Sequence, residues 1–292
     1  MKILFSKLPI SGWWQNGIPK YEDNPAMIEG AIPNLNLLNK ERKNLISIIK
    51  CNGHQVVEIN FPKKLDEKNC KHDFVFIRDP FISDQNGTAI ILRAGEQSRR
   101  VENFIVKSLL EKIGMKIKEI PNRTGIRADG GEFYYCAKEK ILFSGLQRNT
   151  EAGIDYVADM INAKKVIILK GDGYHLDTFF SPCLNISGKI VALIVCKSIL
   201  NDDSKKRLYE FAYSENILIF DIPIHDAIGT NKKLGTFSVN SLPLPGVLIR
   251  PNYFSNPSID EKLKSIGIKV IISPMSQFQL SGGSIHCVTN EL

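Results

Sequence analysis

The pattern of apolar and polar positions repeats five times along the chain. Each copy has an amphipathic stretch with helical spacing, a polar or glycine break, and a short strand rich in β-branched residues. The helical stretches are residues 35–50, 100–112, 151–162, 204–215 and 257–265, and the strands after them are 55–60, 116–120, 165–170, 216–222 and 267–273. Because the strands end at steps of 50 to 60 residues, one structural unit recurs through the chain.

Each repeated strand leads into a further segment that has the pattern of a strand. These segments are residues 74–77, 133–136, 178–180 and 236–240, with the C-terminal residues as the fifth. An open, doubly wound sheet is the alternative, but it normally carries a glycine-rich phosphate loop after its first strand, and this sequence has none. The pattern therefore predicts an α/β fold: a single domain over residues 1–292, with five ββαβ-type modules closed into a propeller around a central cavity.

Composition and charge exclude several classes of protein. Apolar residues make up 43% and charged residues 24%, which argues against a disordered or fibrous chain. The longest apolar runs, such as residues 190–196, are far shorter than the roughly 20 residues that span a bilayer. The first ten residues lack the features of a secretion signal, so we expect a cytoplasmic protein without membrane partners. The formal charge of +7 is spread along the chain, which argues against a nucleic-acid partner.

Two motifs place carboxylates next to turn residues. In the first, Asp73 begins an apolar segment that ends at Asp79, with Pro80 behind it, and a plain turn is the alternative interpretation. In the second, Asp129 and Glu132 flank a Gly-Gly pair ahead of the strand at residues 133–136. Glycines allow a ligand to approach the backbone closely, although they also suit an ordinary hairpin.

Two further motifs carry a histidine and a cysteine. His175 and Asp177 are two residues apart, so in an extended segment they project from one face, as a general acid or base requires. Cys287 follows Gly282 and Gly283 near the C-terminal end. A frayed terminus is the alternative there, but the neighbouring apolar residues favour docking, and a thiolate would be a nucleophile.

Each motif follows a different repeated strand, so a ring of modules would bring all four to one cavity. Acids, one histidine and one cysteine around a cavity suit a cationic substrate and a covalent thiol mechanism. A metal site is the competing interpretation. We rank it lower, because only His175 and Asp177 have ligand-like spacing, and we expect neither a metal nor a cofactor. The six scattered cysteines form no C-x-x-C pair, so disulfides and zinc knuckles are not expected.

Together the motifs resemble those of the guanidino-group modifying enzymes, which include arginine deiminases, dimethylarginine dimethylaminohydrolases and amidinotransferases. The resemblance runs from Asp73 to Cys287 and rests on Phe76–Phe81, Asp129-Gly130-Gly131, His175-Leu176-Asp177 and Gly282–Cys287. Residues 93–100 are similar to a stretch of the dimethylarginine hydrolases. The family fold, called pentein, is a five-bladed α/β propeller, which agrees with the five repeats.

This resemblance implies a role for each motif residue. Asp79 and Asp177 would hold the guanidinium group by charge-assisted hydrogen bonds, with Phe76 and Asp73 as further substrate contacts. Cys287 would attack the central carbon, and His175 would protonate the leaving amine and later activate water. Asp129 would orient His175. The implied reaction passes through a covalent thiouronium and releases a ureido product such as citrulline.

Three departures from the family pattern bear on the substrate. Dimethylarginine hydrolases usually carry glutamate and lysine where this chain has Arg78 and Asp177, and these two residues are more typical of an arginine deiminase. Asn149 stands where the family often has the arginine that receives the substrate carboxylate. Arg148 and Arg99 are the candidates to replace it, and we favour Arg99.

Several alternatives stay open at the level of sequence. The same thiouronium would serve an amidinotransferase that passes the amidino group to an amine, and a guanidine-binding protein without turnover is the third option. The partner that we expect is a small guanidino compound. The oligomeric state cannot be inferred, although a homodimer is compatible with the sequence. The segment from Ser11 to Asn34 is either a lid over the cavity or a packed arm.

Overall fold

The computed structural model describes residues 1–11, 24–66, 73–230 and 232–292. The helices in this part of the chain are α1 (Pro25–Ile28), α2 (Leu35–Cys51), α3 (Arg100–Lys112), α4 (Glu151–Met160), α5 (Asp202–Ser214), α6 (Ser258–Ser265) and α7 (Ser276–Gln279). The strands are β1 (Lys2–Ser6), β2 (Gln55–Ile59), β3 (Phe81–Ser83), β4 (Thr88–Ile91), β5 (Lys116–Glu119), β6 (Phe133–Cys136), β7 (Ile141–Gly145), β8 (Lys165–Leu169), β9 (Phe180–Leu184), β10 (Ile190–Val195), β11 (Leu218–Asp221), β12 (Gly229–Thr230), β13 (Lys233–Leu234), β14 (Leu242–Leu244), β15 (Val247–Arg250), β16 (Lys269–Ile272) and β17 (Asn290–Glu291).

Five sheets of three strands share one connectivity within these residues. From inner to outer strand they are β17-β1-β2, β3-β4-β5, β6-β7-β8, β9-β10-β11 and β14-β15-β16. In each sheet the inner strand is antiparallel to the middle strand, and the outer strand is parallel to the middle one. A parallel pair needs a long crossover, which a helix supplies in every unit. The α/β class and the fivefold repeat predicted from the sequence are therefore confirmed.

The repeated helices form because their apolar residues recur on one side. In α2, Leu38, Leu45 and Ile49 are buried against the sheet, and Asn34 caps the first turn by accepting a hydrogen bond from the Leu37 amide at 3.0 Å. All five helical stretches predicted from the sequence are present, with bounds that differ by at most two residues at either end. The five outer strands are present as well.

Burial falls from the inner strands to the outer strands. In β10, a middle strand, Leu193 and Ile194 are fully buried, whereas Leu218 in the outer strand β11 is 46% exposed. The apolar core therefore lies between the helices and the inner and middle strands. The inner strands, which are buried along almost their whole length, face the interior of the molecule.

Three of the predicted inner strands are wrong in position. Residues 74–77 lie in and after a 3₁₀ turn, Asp73–Val75, and the strand begins only at Phe81. Residues 178–180 likewise follow a 3₁₀ turn, Leu176–Thr178, and β9 begins at Phe180. Residues 236–240 form no strand, and Phe237 within them has a φ of +53°, in the left-handed region. The segment 133–136 is a strand as predicted.

A physical reason unites these three errors. Polar side chains flank or lie within each misassigned segment, namely Asp73 and Asp79, His175 and Asp177, and Asn240. A turn lets these side chains reach separate partners, such as Arg99 for Asp79 and His286 for Asp177. In the first segment Pro80 also lacks an amide hydrogen, so the ladder with β4 cannot extend back through it. The turns before the inner strands are therefore where the chemistry-bearing residues collect.

The C-terminal segment is docked, as its apolar residues predicted. Strand β17 pairs antiparallel with β1, and the Leu292 amide donates to the Lys2 carbonyl at 2.9 Å. In the described part of the chain no helix is both long and apolar enough to cross a membrane.

Truncation of a buried middle-strand residue should cost far more stability than truncation of an outer one. Leu193→Ala should lower the free energy of unfolding by about 2–5 kcal/mol, because it leaves a cavity in the core. The matched control Leu218→Ala, in the adjacent outer strand, should change it by about 0.5 kcal/mol or less. Urea denaturation followed by circular dichroism measures both, and equal losses would contradict the assigned burial gradient.

Candidate active site

The turns before the inner strands and the C-terminal segment line one cavity of about 380 Å³. Seven of the residues predicted from the sequence line it: Asp73, Phe76, Asp79, Arg99, Arg148, His175 and Cys287. The two others, Asp129 and Asp177, lie directly behind this lining and contact His175 and Cys287, respectively. The four sequence motifs therefore converge.

Cys287 lies at the floor of the cavity. Its thiol donates to Asp177 Oδ2 at 3.4 Å, and Sγ accepts a hydrogen bond from Asn240 Nδ2 at 3.2 Å. Burial raises the pKa of the Cys287 thiol well above its ordinary value, and the charges of Asp177 and Asp79 raise it further. The thiol therefore stays protonated until a cation offsets the nearby carboxylates.

Asp177 is fully buried beside the thiol. Its Oδ2 also accepts from His286 Nδ1 at 2.8 Å, whereas Oδ1 meets no donor among the described residues. His286 stacks on the Tyr134 ring, with 4.1 Å between ring centroids. Burial lowers the pKa of His286, so the imidazole is neutral and Nδ1–H is the donor. No sequence pattern marked His286 or Asn240, although their side chains bind Asp177 and the thiol.

His175 and Asp177 do not act as one pair, which corrects the prediction that both project from one face. His175 is extended, but Asp177 already belongs to the 3₁₀ turn that follows. His175 lies with Nδ1 3.7 Å from Asp79 Oδ1 and Nε2 3.7 Å from Asp129 Oδ2. The two residues thus reach the reaction centre with different partners.

His175 is charged at neutral pH. Burial by itself would lower the pKa of His175, but the carboxylates of Asp79, Asp129 and Glu132 outweigh it and raise the pKa to about 9. An imidazolium beside the cavity is a proton donor for a leaving group.

Asp129 is held from both sides. The Gly95 amide donates to its Oδ1 at 3.1 Å, and the Asp129 amide donates to Asn149 Oδ1 at 2.8 Å. Burial would raise the pKa of Asp129, but His175 and Arg99 outweigh it and hold that pKa below its usual range.

Asn149, at the place where the family pattern has an arginine, is buried and also donates to Ser144 Oγ at 3.1 Å. Its side chain therefore positions Asp129.

Arg99 is engaged inside the protein. Its Nη1 donates to Asp79 Oδ2 at 2.5 Å, and its Nε and Nη2 donate to Glu102 at 3.0 and 2.8 Å. Its Nη2 also donates to the Asp73 carbonyl at 3.1 Å. This network orients Asp79. The predicted role of Arg99 as receptor of a substrate carboxylate remains a prediction.

Arg148 lies nearer the surface. Its guanidinium is 4.4 Å from the centroid of the Tyr174 ring, a cation–π contact, and both residues line the cavity together with Asp172. Glu132 fixes this region from below: its Oε1 accepts from the Arg148 amide at 2.6 Å, and its Oε2 accepts from the Leu176 amide at 2.9 Å. Burial raises the pKa of Glu132 to about 7.

The glycines of the motifs permit this packing. A Cβ on Gly131 would lie 2.5 Å from His175 Nδ1 and 2.9 Å from Asp79 Oδ1. A Cβ on Gly130 would overlap the Arg78 carbonyl, and one on Gly283 would overlap the Phe76 ring. Gly130, Gly131 and Gly283 are thus positions where other parts of the protein approach the backbone closely.

Part of the proposed lid lies outside the described residues, namely residues 12–23 with both tryptophans. Asn24, just after them, lines the cavity and donates from Nδ2 to the Leu280 carbonyl at 3.2 Å. In the described ranges no group of three or more His, Cys, Asp or Glu residues could hold a metal ion. The described cysteines, residues 51, 136, 183, 196 and 287, are all free thiols.

Comparison with known proteins identifies relatives of this site. A family model described as N,N dimethylarginine dimethylhydrolase, eukaryotic, matches residues 34–292. The N-terminal domain of ArgZ covalently bound to a reaction intermediate is similar with a TM-score of 0.77 and 21% identity, over 99% of this chain and 96% of that one. The product-bound form of that domain, from an arginine dihydrolase of the cyanobacterial ornithine–ammonia cycle, gives 0.76 and 22% over the same shares.

DDAH from Pseudomonas aeruginosa, as a cysteine-to-serine variant with citrulline, is similar with a TM-score of 0.72 and 16% identity, over 100% of this chain and 98% of that one. At these identities the structural likenesses show the fold, whereas the family model covers most of the sequence. The resemblance to guanidino-group modifying enzymes is thereby confirmed.

Removal of the Asp129 carboxylate should lower the pKa of His175. In Asp129→Asn one of the charges that stabilise the imidazolium is lost, so the pKa should fall from about 9 by about one unit or more. An NMR titration of the histidine side chains measures this, with His175→Gln to assign the signal. Asp172→Asn, which removes an exposed carboxylate of the same cavity, should leave that pKa unchanged, and an equal drop in both variants would contradict the assignment.

Proposed function

The chain belongs to the N,N-dimethylarginine dimethylhydrolase family, and on this basis we propose that it hydrolyses the guanidino C–N bond of arginine or a methylated arginine. The product is citrulline. One observation carries the proposal: a buried thiol and a histidine with raised pKa meet in a single cavity that has buried carboxylates on both sides. Such a site suits a planar cation that is attacked at carbon.

The guanidinium group binds between Asp79 and Asp177. Asp177 Oδ1, which meets no donor among the described residues, accepts from one terminal nitrogen. Asp79, held by Arg99 and by the Gly131 amide at 3.2 Å, accepts from the other. Charge-assisted hydrogen bonds of this kind are about twice as strong as neutral ones, and two of them fix the plane of the group. The central carbon then lies in front of Cys287.

Substrate binding activates the nucleophile. The cation offsets Asp177 and Asp79, which lowers the pKa of Cys287, and the thiol proton leaves to solvent. The thiolate forms a C–S bond to the guanidino carbon. His175 gives its proton to the terminal nitrogen, the C–N bond breaks, and a neutral amine departs. Cys287 then carries an S-alkylthiouronium, and His175 is neutral.

Water completes the reaction. Neutral His175 takes a proton from water as the oxygen attacks the thiouronium carbon. The C–S bond then breaks as the proton of the new hydroxyl group leaves to solvent, which releases a neutral ureido product and regenerates the thiolate beside the imidazolium. Asp129 stabilises that imidazolium in both half-reactions, at 3.7 Å from Nε2.

We expect arginine to react faster than asymmetric dimethylarginine. Both positions for terminal nitrogens face buried carboxylate oxygens, so each unsubstituted nitrogen finds an acceptor. Two methyl groups would remove these donors from one nitrogen and place apolar surface against a charge. At the outer end of the cavity we assign the substrate carboxylate to Arg148 and the ammonium group to Asp172. Arg99, which the sequence favoured for the carboxylate, already binds Asp79 and Glu102. Asp73 and Phe76 line the passage between the two ends.

We further propose that the five sheets close into a five-bladed propeller within one domain, an arrangement that suits this function. Two features support it: the C-terminal strand β17 completes the sheet of the N-terminal strand β1, and turns from separate units reach one cavity. An open sheet would leave its first and last units apart.

Replacement of the nucleophile should abolish turnover. Cys287→Ser should form no citrulline from arginine and carry no adduct, whereas the unsubstituted protein should show a transient adduct on Cys287 in quenched reactions analysed by intact-protein mass spectrometry. Cys51→Ser, which alters an exposed thiol, is the matched control and should react at the normal rate.

Persistent turnover in Cys287→Ser would overturn the covalent mechanism. Reactions that contain glycine should yield no new guanidino compound, and formation of one would show an amidinotransferase instead.

Turnover should increase with pH at first. The resting protein holds a thiol and an imidazolium, whereas the reactive complex holds a thiolate and an imidazolium, one proton fewer. Because the species with one proton fewer accumulates as pH approaches the pKa of His175, kcat/KM should rise about tenfold per pH unit and level off near pH 9. A pH–rate profile with arginine measures this, and a flat or falling profile between pH 6 and 8, well below that pKa, would contradict the assigned protonation states.

A further inference from the structure

A second cavity of about 480 Å³ lies behind the nucleophile. Among the described residues it shares no lining residue with the active-site cavity. At two places, however, consecutive residues of the chain line the two cavities. Arg78 and His286 line the second cavity, whereas the next residues, Asp79 and Cys287, line the first. The mechanism above makes no use of this second cavity.

Arg78, the most buried cation of this cavity, has one nitrogen without a hydrogen-bond partner among the described residues. Arg78 is 4% exposed, and it donates from Nη1 to Glu291 Oε2 at 2.7 Å and from Nε to the His286 carbonyl at 3.3 Å. Its Nη2 meets no acceptor among the described residues. A buried donor without a partner destabilises the protein, and more so when it is charged. A ligand oxygen at this nitrogen would offset that destabilisation.

The remaining charges of the cavity favour an anion. Lys138 and Lys140 lie in its lining, are exposed, and form no ion pair with described residues. Of the two acids of the lining, Glu291 is paired with Arg78, and Asp84 accepts from the Asn86 and Thr88 amides at 2.8 and 2.9 Å. The described lining thus holds three cationic side chains and two carboxylates. The available charge in the cavity is therefore positive.

The walls leave room for an organic body. Tyr134, Pro182, Pro243 and Pro245 contribute apolar surface, and prolines offer no amide donor. A volume of this size is within the range of small-molecule sites. Arg78 below, two lysines, and apolar walls are the features of a site for a small organic anion.

We propose that this cavity is a second binding site, which holds the oxyanion of a small metabolite, a phosphate or a carboxylate, on Arg78 with Lys138 and Lys140 as further contacts. The oxyanion is the shared chemistry of both sources. Nothing in this assignment depends on the reaction at Cys287.

The site is connected to the nucleophile by short contacts. The Arg78 amide donates to the Cys287 carbonyl at 3.1 Å, and His286 lies between Arg78 and Asp177. The charged groups that face His286 are Arg78, Asp177 and Glu291, and its ring stacks on Tyr134. An added anion favours the imidazolium of His286, which offsets Asp177 and thereby stabilises the thiolate. Anion binding should therefore make Cys287 more reactive.

Calorimetric titration of the full chain with inorganic phosphate, and separately with succinate, tests the site. We expect one saturable site per chain, and the tighter of the two probes identifies the source of the oxyanion. The double variant Lys138→Glu/Lys140→Glu should bind about tenfold more weakly, because two attractive charges become repulsive. The matched control Lys262→Glu/Lys264→Glu, on the exposed side of α6, should bind like the unsubstituted protein.

A second measurement tests the link to the nucleophile. Alkylation of Cys287 by iodoacetamide, followed at peptide level by mass spectrometry, should accelerate at least about twofold on addition of the anion and should not accelerate in Lys138→Glu/Lys140→Glu. Absence of saturable binding by both probes, or equal weakening in both lysine pairs, would overturn the site. Saturable binding with unchanged alkylation would overturn the link to Cys287.

Discussion

The excess of buried carboxylates around Cys287 is the constraint on which the site depends. Six of them lie close together, with two cationic groups: the carboxylates of Asp73, Asp79, Glu102, Asp129, Glu132 and Asp177, and the cations Arg99 and His175. Burial of charge is costly unless it is paired, so a surplus of negative charge favours any process that adds positive charge or removes a negative one. The surplus raises the pKa of His175, and it adds to burial, the larger cause, in raising the pKa values of Glu132 and Cys287. Binding of a guanidinium ion would also offset this surplus of negative charge.

The backbone makes that concentration of charge possible. Amides of Gly95, Gly131, Arg148 and Leu176 donate to Asp129, Asp79 and Glu132, so these three acids are fixed by backbone donors. Such donors stabilise ionised acids without adding net charge. Gly131 and Leu176 belong to the turns before two inner strands, and Gly95 and Arg148 follow two middle strands. The local backbone conformation therefore contributes directly to the electrostatics of the site.

The sequence predicted the repeating part of this architecture well and the site only in part. Helices and outer strands have a strong period, and their apolar residues need only face one side, so local pattern is enough. The segments before β3 and β9 have apolar residues in an order that also suits a strand, and only the tertiary contacts of Asp79 and Asp177 require a turn there. His286, Asn240 and Glu102 were missed for the same reason: each acts through another residue of the site, and no local spacing marks such a role. Glu132 lies in the Gly-Gly motif that the sequence showed, but the sequence did not reveal that this side chain is buried.

The effect of Asp177 on the Cys287 thiol differs between the empty and the substrate-bound site. In the empty site its carboxylate, 3.4 Å from Sγ, disfavours the thiolate, which keeps Cys287 unreactive towards oxidants and stray electrophiles. In the proposed mechanism a bound guanidinium neutralises the same carboxylate, which then ceases to oppose the thiolate. The imidazolium of His175 would repel the incoming cation, but Asp79 and Asp129 flank both of its nitrogens and offset that charge. In the proposed mechanism one arrangement of acids thus keeps His175 protonated, admits a cation, and makes formation of the thiolate conditional on the presence of substrate.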